Sequence, residues 1–169
     1  HRGRQPIGCR PFFCPLFRFN CRAMARNLRP IAKMEAFMDP TYDEISQAMR
    51  AYFDGFYDGD VETLKGVFHP SCHLFTASDG PLQDDDMETV YGRVAGRPTG
   101  ASLGEARRDR ILSIDKSGPE SALVKVNIAI GSKLYTDYLN FLKIDGRWQI
   151  ISKIYTYVPL AAARAEAAE

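Results

Sequence analysis

Residues 135–154 read YTDYLNFLKIDGRWQIISKI, and this stretch decides the fold. Apolar and polar residues alternate on both sides of Asp145-Gly146, a pair suited to the two-residue type I′ turn of a β-hairpin because both positions tolerate positive φ. With that turn, Ile144 faces Arg147 and Lys143 faces Trp148. Regular alternation then sets Tyr135, Asp137, Leu139 and Phe141 on one face beside Trp148, Ile150, Ser152 and Ile154. Thr136, Tyr138, Asn140 and Leu142 share the other face with Gln149, Ile151, Lys153, Tyr155 and Tyr157. The first face is the more apolar and is expected to meet the core. A bulge would exchange the two faces beyond it.

Working backwards, Gly131-Ser132 and Asp115–Gly118 are turn signals, so a meander of four strands is expected from about Arg107. Val124, Val126, Ile128 and Ile130 then join the inner face, and three strands agree on one core side. Further upstream the period changes from two to that of a helix. Ile45, Met49, Tyr52, Phe53 and Phe56 form one face of a helix after Pro40, with Thr41 or Asp43 as N-cap. Asp60 caps a short second helix bearing Val61, Leu64, Val67 and Phe68, which His69-Pro70 stops. A strand from Cys72 to Ala77 follows. Asp84, Asp85 and Asp86 are expected to open a third helix that carries Met87, Val90, Tyr91 and Val94, and residues 96–105 to form a loop. Helices first and antiparallel strands afterwards predict an α+β fold.

Charge divides the chain sharply. Residues 1–33 hold eight of the 22 basic side chains and none of the 21 acidic ones, so residues 34–169 carry 14 basic and 21 acidic groups, net −7. A domain this acidic lacks the basic footprint that nucleic acid demands. No apolar run is long enough to cross a bilayer as a helix. Cys9, Cys14 and Cys21 match no zinc spacing and Cys72 has no evident partner, so no metal is expected and a reducing cytoplasm is the default. Residues 1–38 are expected to be a basic leader outside the natural domain, 39–159 the domain itself, and 160–169 an alanine-rich tail.

Tyr52-Phe53-Asp54-Gly55, Gly59-Asp60, Phe68-His69-Pro70, Tyr135-Thr136-Asp137-Tyr138-Leu139 and Asp145-Gly146-Arg147-Trp148-Gln149-Ile150 stand in an order that resembles the nuclear transport factor 2-like superfamily. Within it, the similarity is to the lumazine-binding-like and polyketide-cyclase-like groups. It spans about Thr41 to Val158. The resemblance implies a cone-shaped α+β barrel, in which a curved antiparallel sheet wraps N-terminal helices around a small-molecule cavity, and frequent dimers through the outer sheet face. It selects no activity, because such folds serve isomerases, dehydratases, hydrolases and non-catalytic binding domains alike.

Asp137 is the sharpest candidate for chemistry. A carboxylate in apolar surroundings is costly to ionise, which suits it to proton transfer near neutral pH, against the alternative of a structural aspartate bonded to Tyr52 or Ser152. His73 is the candidate second acid–base group if its ring turns inward; His69 reads as a helix-end residue. Tyr52, Tyr91 and Tyr135 are candidate hydroxyl donors to a developing negative charge. Phe56, Trp148 and Ser152 complete the expected pocket lining. Tyr138, Ile151, Lys153, Tyr155 and Tyr157 form the expected dimer face, since an apolar patch of that kind usually has a partner. Neither a phosphate-binding glycine loop, Gly-x-Ser-x-Gly nor His-Glu-x-x-His occurs, and no cofactor is expected. These residues predict a small apolar or neutral ligand, bound either for acid–base chemistry or for binding alone.

Overall fold

The computed structural model describes residues 39–161; the leader, and residues 162–169 of the tail, lie outside that range. Helix α1 (Pro40–Asp58) begins at Asp39, whose carboxylate accepts from Thr41 N–H at 3.0 Å with Pro40 in the first turn. The N-cap thus lies two residues before Thr41, the nearer of the expected pair. Lys116 also donates to Asp39 and, with the cap, holds that carboxyl at about 2. The predicted apolar face, Ile45, Met49, Tyr52, Phe53 and Phe56, is buried in full. Gly59, at φ 72°, ends the helix in the left-handed conformation that glycine adopts without strain. Asp60 caps α2 (Val61–Val67), as its spacing predicts. The two helices pack closely at Gly55, where an added Cβ would lie 2.7 Å from Leu64.

Strand β1 (Phe68–Thr76) starts four residues earlier than expected, running through His69-Pro70. The three aspartates do not open the next helix together. Asp84 and Asp85 sit in strand β2 (Gln83–Asp86), and Asp86 alone caps α3 (Met87–Ala95). The expected loop holds a single helical turn, α4 (Gly100–Leu103), closed at its start by a Thr99–Ser102 capping box. Four strands follow: β3 (Arg110–Ser117), β4 (Ser121–Ile130), β5 (Lys133–Ile144) and β6 (Arg147–Pro159).

One sheet contains all six strands in the order β2-β1-β6-β5-β4-β3. The fold is α+β, but the sheet is neither wholly antiparallel nor a closed barrel. β1 runs parallel to β6, and the edge strands β2 and β3 do not pair. Parallel pairing arises because the final strand returns beside the first after a long excursion, where no hairpin forces reversal. Edge strand β2 is short and acidic, a composition that discourages pairing with another chain.

The core lies between α1 and the concave side of the sheet. Tyr52, Phe56 and Phe68 form an aromatic cluster, with ring centres 4.9 Å apart for Tyr52–Phe56 and 6.2 Å for Phe56–Phe68. Val124, Val126, Ile128, Leu139 and Phe141 meet it from β4 and β5. Burying each such side chain contributes about 1.5–3 kcal/mol. No helix among the described residues is long and apolar enough to cross a membrane.

The hairpin register holds for only half its length. Ile144 pairs with Arg147 and Lys143 with Trp148, as the Asp145-Gly146 turn dictates. Phe141 then pairs with Ile150, but Asn140 pairs with Ser152. Ile151 is therefore an extra residue on β6, a bulge, and every β6 side chain beyond it changes face. Lys153 comes opposite Leu139, Tyr155 opposite Asp137, and Tyr157 opposite Tyr135.

Candidate active site

The bulge turns Lys153 into the core. Its ammonium donates to Asp137 Oδ2 at 3.0 Å and to the Tyr52 hydroxyl at 2.8 Å, while Tyr52 donates to the same Asp137 oxygen at 2.7 Å. Three elements thus converge, α1 through Tyr52, β5 through Asp137 and β6 through Lys153. All three are shut off from solvent, at 0%, 0% and 4% exposure. Burial lowers the Lys153 ammonium from its ordinary value, and Asp137 opposes that shift. Burial also raises the Tyr52 phenol well above its ordinary range, with the neighbouring Asp137 charge adding to it. Asp137 Oδ1 has no hydrogen-bond partner among the described residues. Buried polar atoms are rarely left so, and each one asks for an explanation.

Next to this triad is an inner cavity of about 320 Å³. Phe56, Leu74, Val90 and Ile130 give it apolar walls, and Tyr135, Tyr155, Lys153, Arg93 and Arg97 add polar groups. The Lys153 ammonium lies 5.4 Å from the Phe56 ring centre and 5.0 Å from that of Tyr155, which sets the charged head at the cavity wall between two aromatic faces. Asp137 and Tyr52 stand behind it and do not line the space. A second cavity of about 390 Å³ adjoins, sharing Phe56, Arg97, Ile130 and Tyr135 with the first and reaching Tyr57, Glu105 and Lys133.

The other expected site residues fall elsewhere. His73 points to the outer side of β1, where Nδ1 meets Asp84 at 2.6 Å; alternation on a strand gives it the face opposite buried Cys72 and Leu74. It is not a partner for Asp137. Tyr91 lines a separate outer groove with Lys65, Phe68 and Pro70. Trp148 is buried and donates to Glu44 at 2.9 Å, outside either inner cavity. Ser152, moved outward by the bulge, accepts from Asn140 at 2.9 Å. His69 accepts from Ser71 N–H at 3.1 Å on β1 and ends no helix. Cys72 is inert as a nucleophile, since burial pushes its thiol up to about 12.

The expected dimer face is redrawn by the same shift. Lys153 and Tyr155 are inside, and Tyr157 is half-buried with its ring 5.3 Å from Tyr135 and its hydroxyl bonded to Asp79. Ile151 sits half-buried at the bulge. Only Tyr138 remains on the outer surface, now beside Ile154. Two arginines and a lysine stand on the cavity wall among its apolar side chains. Among the described residues, no group of three His, Cys, Asp or Glu could hold a metal.

Residues 40–156 match the family described as "Putative lumazine-binding". The chain is 28% identical over 120 residues to Aldolase FrzH of a Cladobotryum species, covering 70% of this chain and 92% of that protein. Two solved structures of unknown function are similar in fold. An NTF2-like protein of Shewanella baltica OS155 has a TM-score of 0.64 at 22% identity, with 70% of this chain and 94% of that one covered. One from Silicibacter pomeroyi DSS-3 has 0.61 at 17%, covering 70% and 96%.

Removing one partner of a buried ion pair strands the other, so Asp137→Asn should destabilise the fold by about 3 kcal/mol or more. That is the reverse of the gain expected for an isolated buried carboxylate. Adding Lys153→Met to it should cost much less than the sum of the single changes. Urea unfolding of the two single variants and the double variant measures this; additive losses would mean that the pair does not exist.

Proposed function

Since this chain belongs to the family described as "Putative lumazine-binding", within the nuclear transport factor 2-like superfamily, we propose that it is a ligand-binding domain that moves a proton next to the carbonyl of a small molecule, chemistry of the aldol type. The observation that carries this reading is Lys153, a buried amine at the wall of the inner cavity with a carboxylate behind it at 3.0 Å. The name of the Cladobotryum relative, an aldolase, agrees with it.

A lysine becomes a useful base when burial lowers its affinity for a proton. Lys153 passes a proton to Asp137 across their hydrogen bond, and the free amine removes a proton from the carbon beside the carbonyl. The receiving atom is Asp137 Oδ2, which lies 3.0 Å from the ammonium and also accepts from Tyr52. The enolate oxygen then faces the cavity tyrosines Tyr135 and Tyr155, whose phenols are raised by burial and so stay protonated as donors. When the carbanion adds to an aldehyde, the Lys153 ammonium returns its proton to the new alkoxide. Lys153 is the catalytic residue of this scheme, with Asp137 storing a proton and Tyr52 positioning both.

A second copy on the outer face is also proposed. Tyr138 and Ile154 pair across β5 and β6 at 40% and 53% exposure, and Leu142 and Leu123 lie exposed on β5 and β4. A strip of this kind across adjacent strands is self-complementary in a two-fold dimer. Light scattering should report twice the 19.0 kDa chain mass, and Tyr138→Asp should halve it; a monomeric parent chain would remove the proposal.

For the chemistry, 4-phenylbutan-2-one in D₂O is a direct probe. The protein should accelerate deuterium uptake at the carbons beside the carbonyl, as followed by NMR. Lys153→Met should lower that acceleration by roughly 10²-fold or more, the usual range for a lost acid–base group. Uptake at the buffer rate, or full activity in Lys153→Met, would rule the reading out.

A further inference from the structure

We propose that Arg97 binds a carboxylate on the ligand, so that the substrate class is carbonyl compounds that carry an acid group close to the carbonyl. This rests on the carbonyl reading for the reacting end of the molecule and adds what holds the other end.

Three cations line the inner cavity, and two are already neutralised. Arg93 pairs with Asp85 at 2.7 Å, and Lys153 with Asp137 at 3.0 Å. Arg97 takes part in none of the salt bridges among the described residues. Its one hydrogen bond among them is long, from Nη2 to the Phe56 carbonyl at 3.4 Å. It is half-buried, and desolvation is the largest influence on its charge, lowering its proton affinity. Glu105 acts on it only through space, and a guanidinium drawn partly out of water with no carboxylate at salt-bridge distance is costly unless a ligand supplies the anion.

Its location points the same way. Arg97 follows Gly96 at the end of α3 and lies in the wall common to both cavities. The Phe56 ring links it to the reacting group: the Arg97 guanidinium carbon is 5.9 Å from that ring centre and the Lys153 ammonium 5.4 Å. Both also line the inner cavity, so a single small molecule there can touch both. The helix end alone explains a cation near this position, because α3 presents carbonyls there. It does not explain why the side chain turns into a cavity wall instead of towards solvent. A flat guanidinium matches a carboxylate in two parallel hydrogen bonds. A dianionic phosphate fits less well, because Glu105 shares the adjoining cavity.

The test compares 2-oxo-4-phenylbutanoate with its methyl ester, two probes that differ by the acid charge. Deuterium uptake at C3, each rate taken relative to its own buffer reaction, should be accelerated for both. The acid should be preferred by about ten- to a hundredfold in kcat/KM, the scale of one charge-assisted pair. That preference should lie in KM. Arg97→Gln should bring the two probes to parity while leaving the ester's KM unchanged, and Arg97→Lys should keep part of the preference. Arg147→Gln, an exposed charge removed elsewhere, should keep all of it. Equal use of acid and ester by the parent protein, or a preference that survives Arg97→Gln, would overturn the assignment and leave the carbonyl reading standing. No acceleration of either probe would overturn both. Turnover of the ester by Arg97→Gln also shows that the variant is folded.

Discussion

One residue too many on β6 governs this molecule. The bulge at Ile151 lets the hairpin keep its tight Asp145-Gly146 turn and still deliver Lys153 and Tyr155 to the concave side. Without it, Ser152 and Ile154 would take the place beneath α1, and no cation would face Asp137. With it, an ammonium is carried into that core and has to be neutralised there. Withdrawing either ion from water costs several kcal/mol even after relaxation. Only close pairing offsets this, and Asp137 and Tyr52 supply it from two other elements. The arrangement ties α1 to the middle of the sheet through polar contacts, where aromatic packing alone would have been simpler and no less stable.

On the function proposed above, the cost goes with the placement of a reactive group. Asp137 is sealed and lines neither inner cavity, whereas Lys153 reaches the wall of one. Around that wall the charged side chains are cationic, although two of the three are paired with carboxylates. The chain from residue 34 onward is net −7, yet the cavity is lined by Lys153, Arg93 and Arg97. Acidic side chains dominate the rest of that segment, and the inner space is left to cations and phenols. Low-dielectric walls strengthen the field of a charge left unpaired there, which among these three is that of Arg97.

Much of this was legible before any coordinates. The alternation of β4 and the first half of the hairpin reads inward at Val124, Val126, Asp137 and Leu139, and all are buried. The α1 stripe is equally plain, because helical spacing of large aromatics leaves no other face for them. The bulge was not. Residues 147–157 alternate as well in one register as in the other: Ile150 and Ile151 are both apolar, and the Lys153–Tyr155–Tyr157 series reads as an outer face. The one hint is a lysine between isoleucine and tyrosine across from a lone aspartate, which is an ion pair if the faces are exchanged. Arg97 was hidden differently. It lies in a glycine-rich turn, and no periodicity reports which way such a side chain points. His73 failed for the converse reason: its strand begins at Phe68, and alternation from there sends the ring outward to Asp84.

The seat of the Lys153 head group is the claim on which the rest stands, and the exchange of its ammonium protons measures it. Proton–nitrogen NMR of the lysine side chains at mildly acidic pH should show one ammonium whose protons exchange far more slowly than those of the others. It should give a cross-peak to the Tyr52 ring, vanish in Lys153→Met and shift in Asp137→Asn. A Lys153 signal that exchanges as fast as the surface lysines, with no contact to Tyr52, would mean that β6 runs without its bulge. The cluster described at the cavity wall would then not exist.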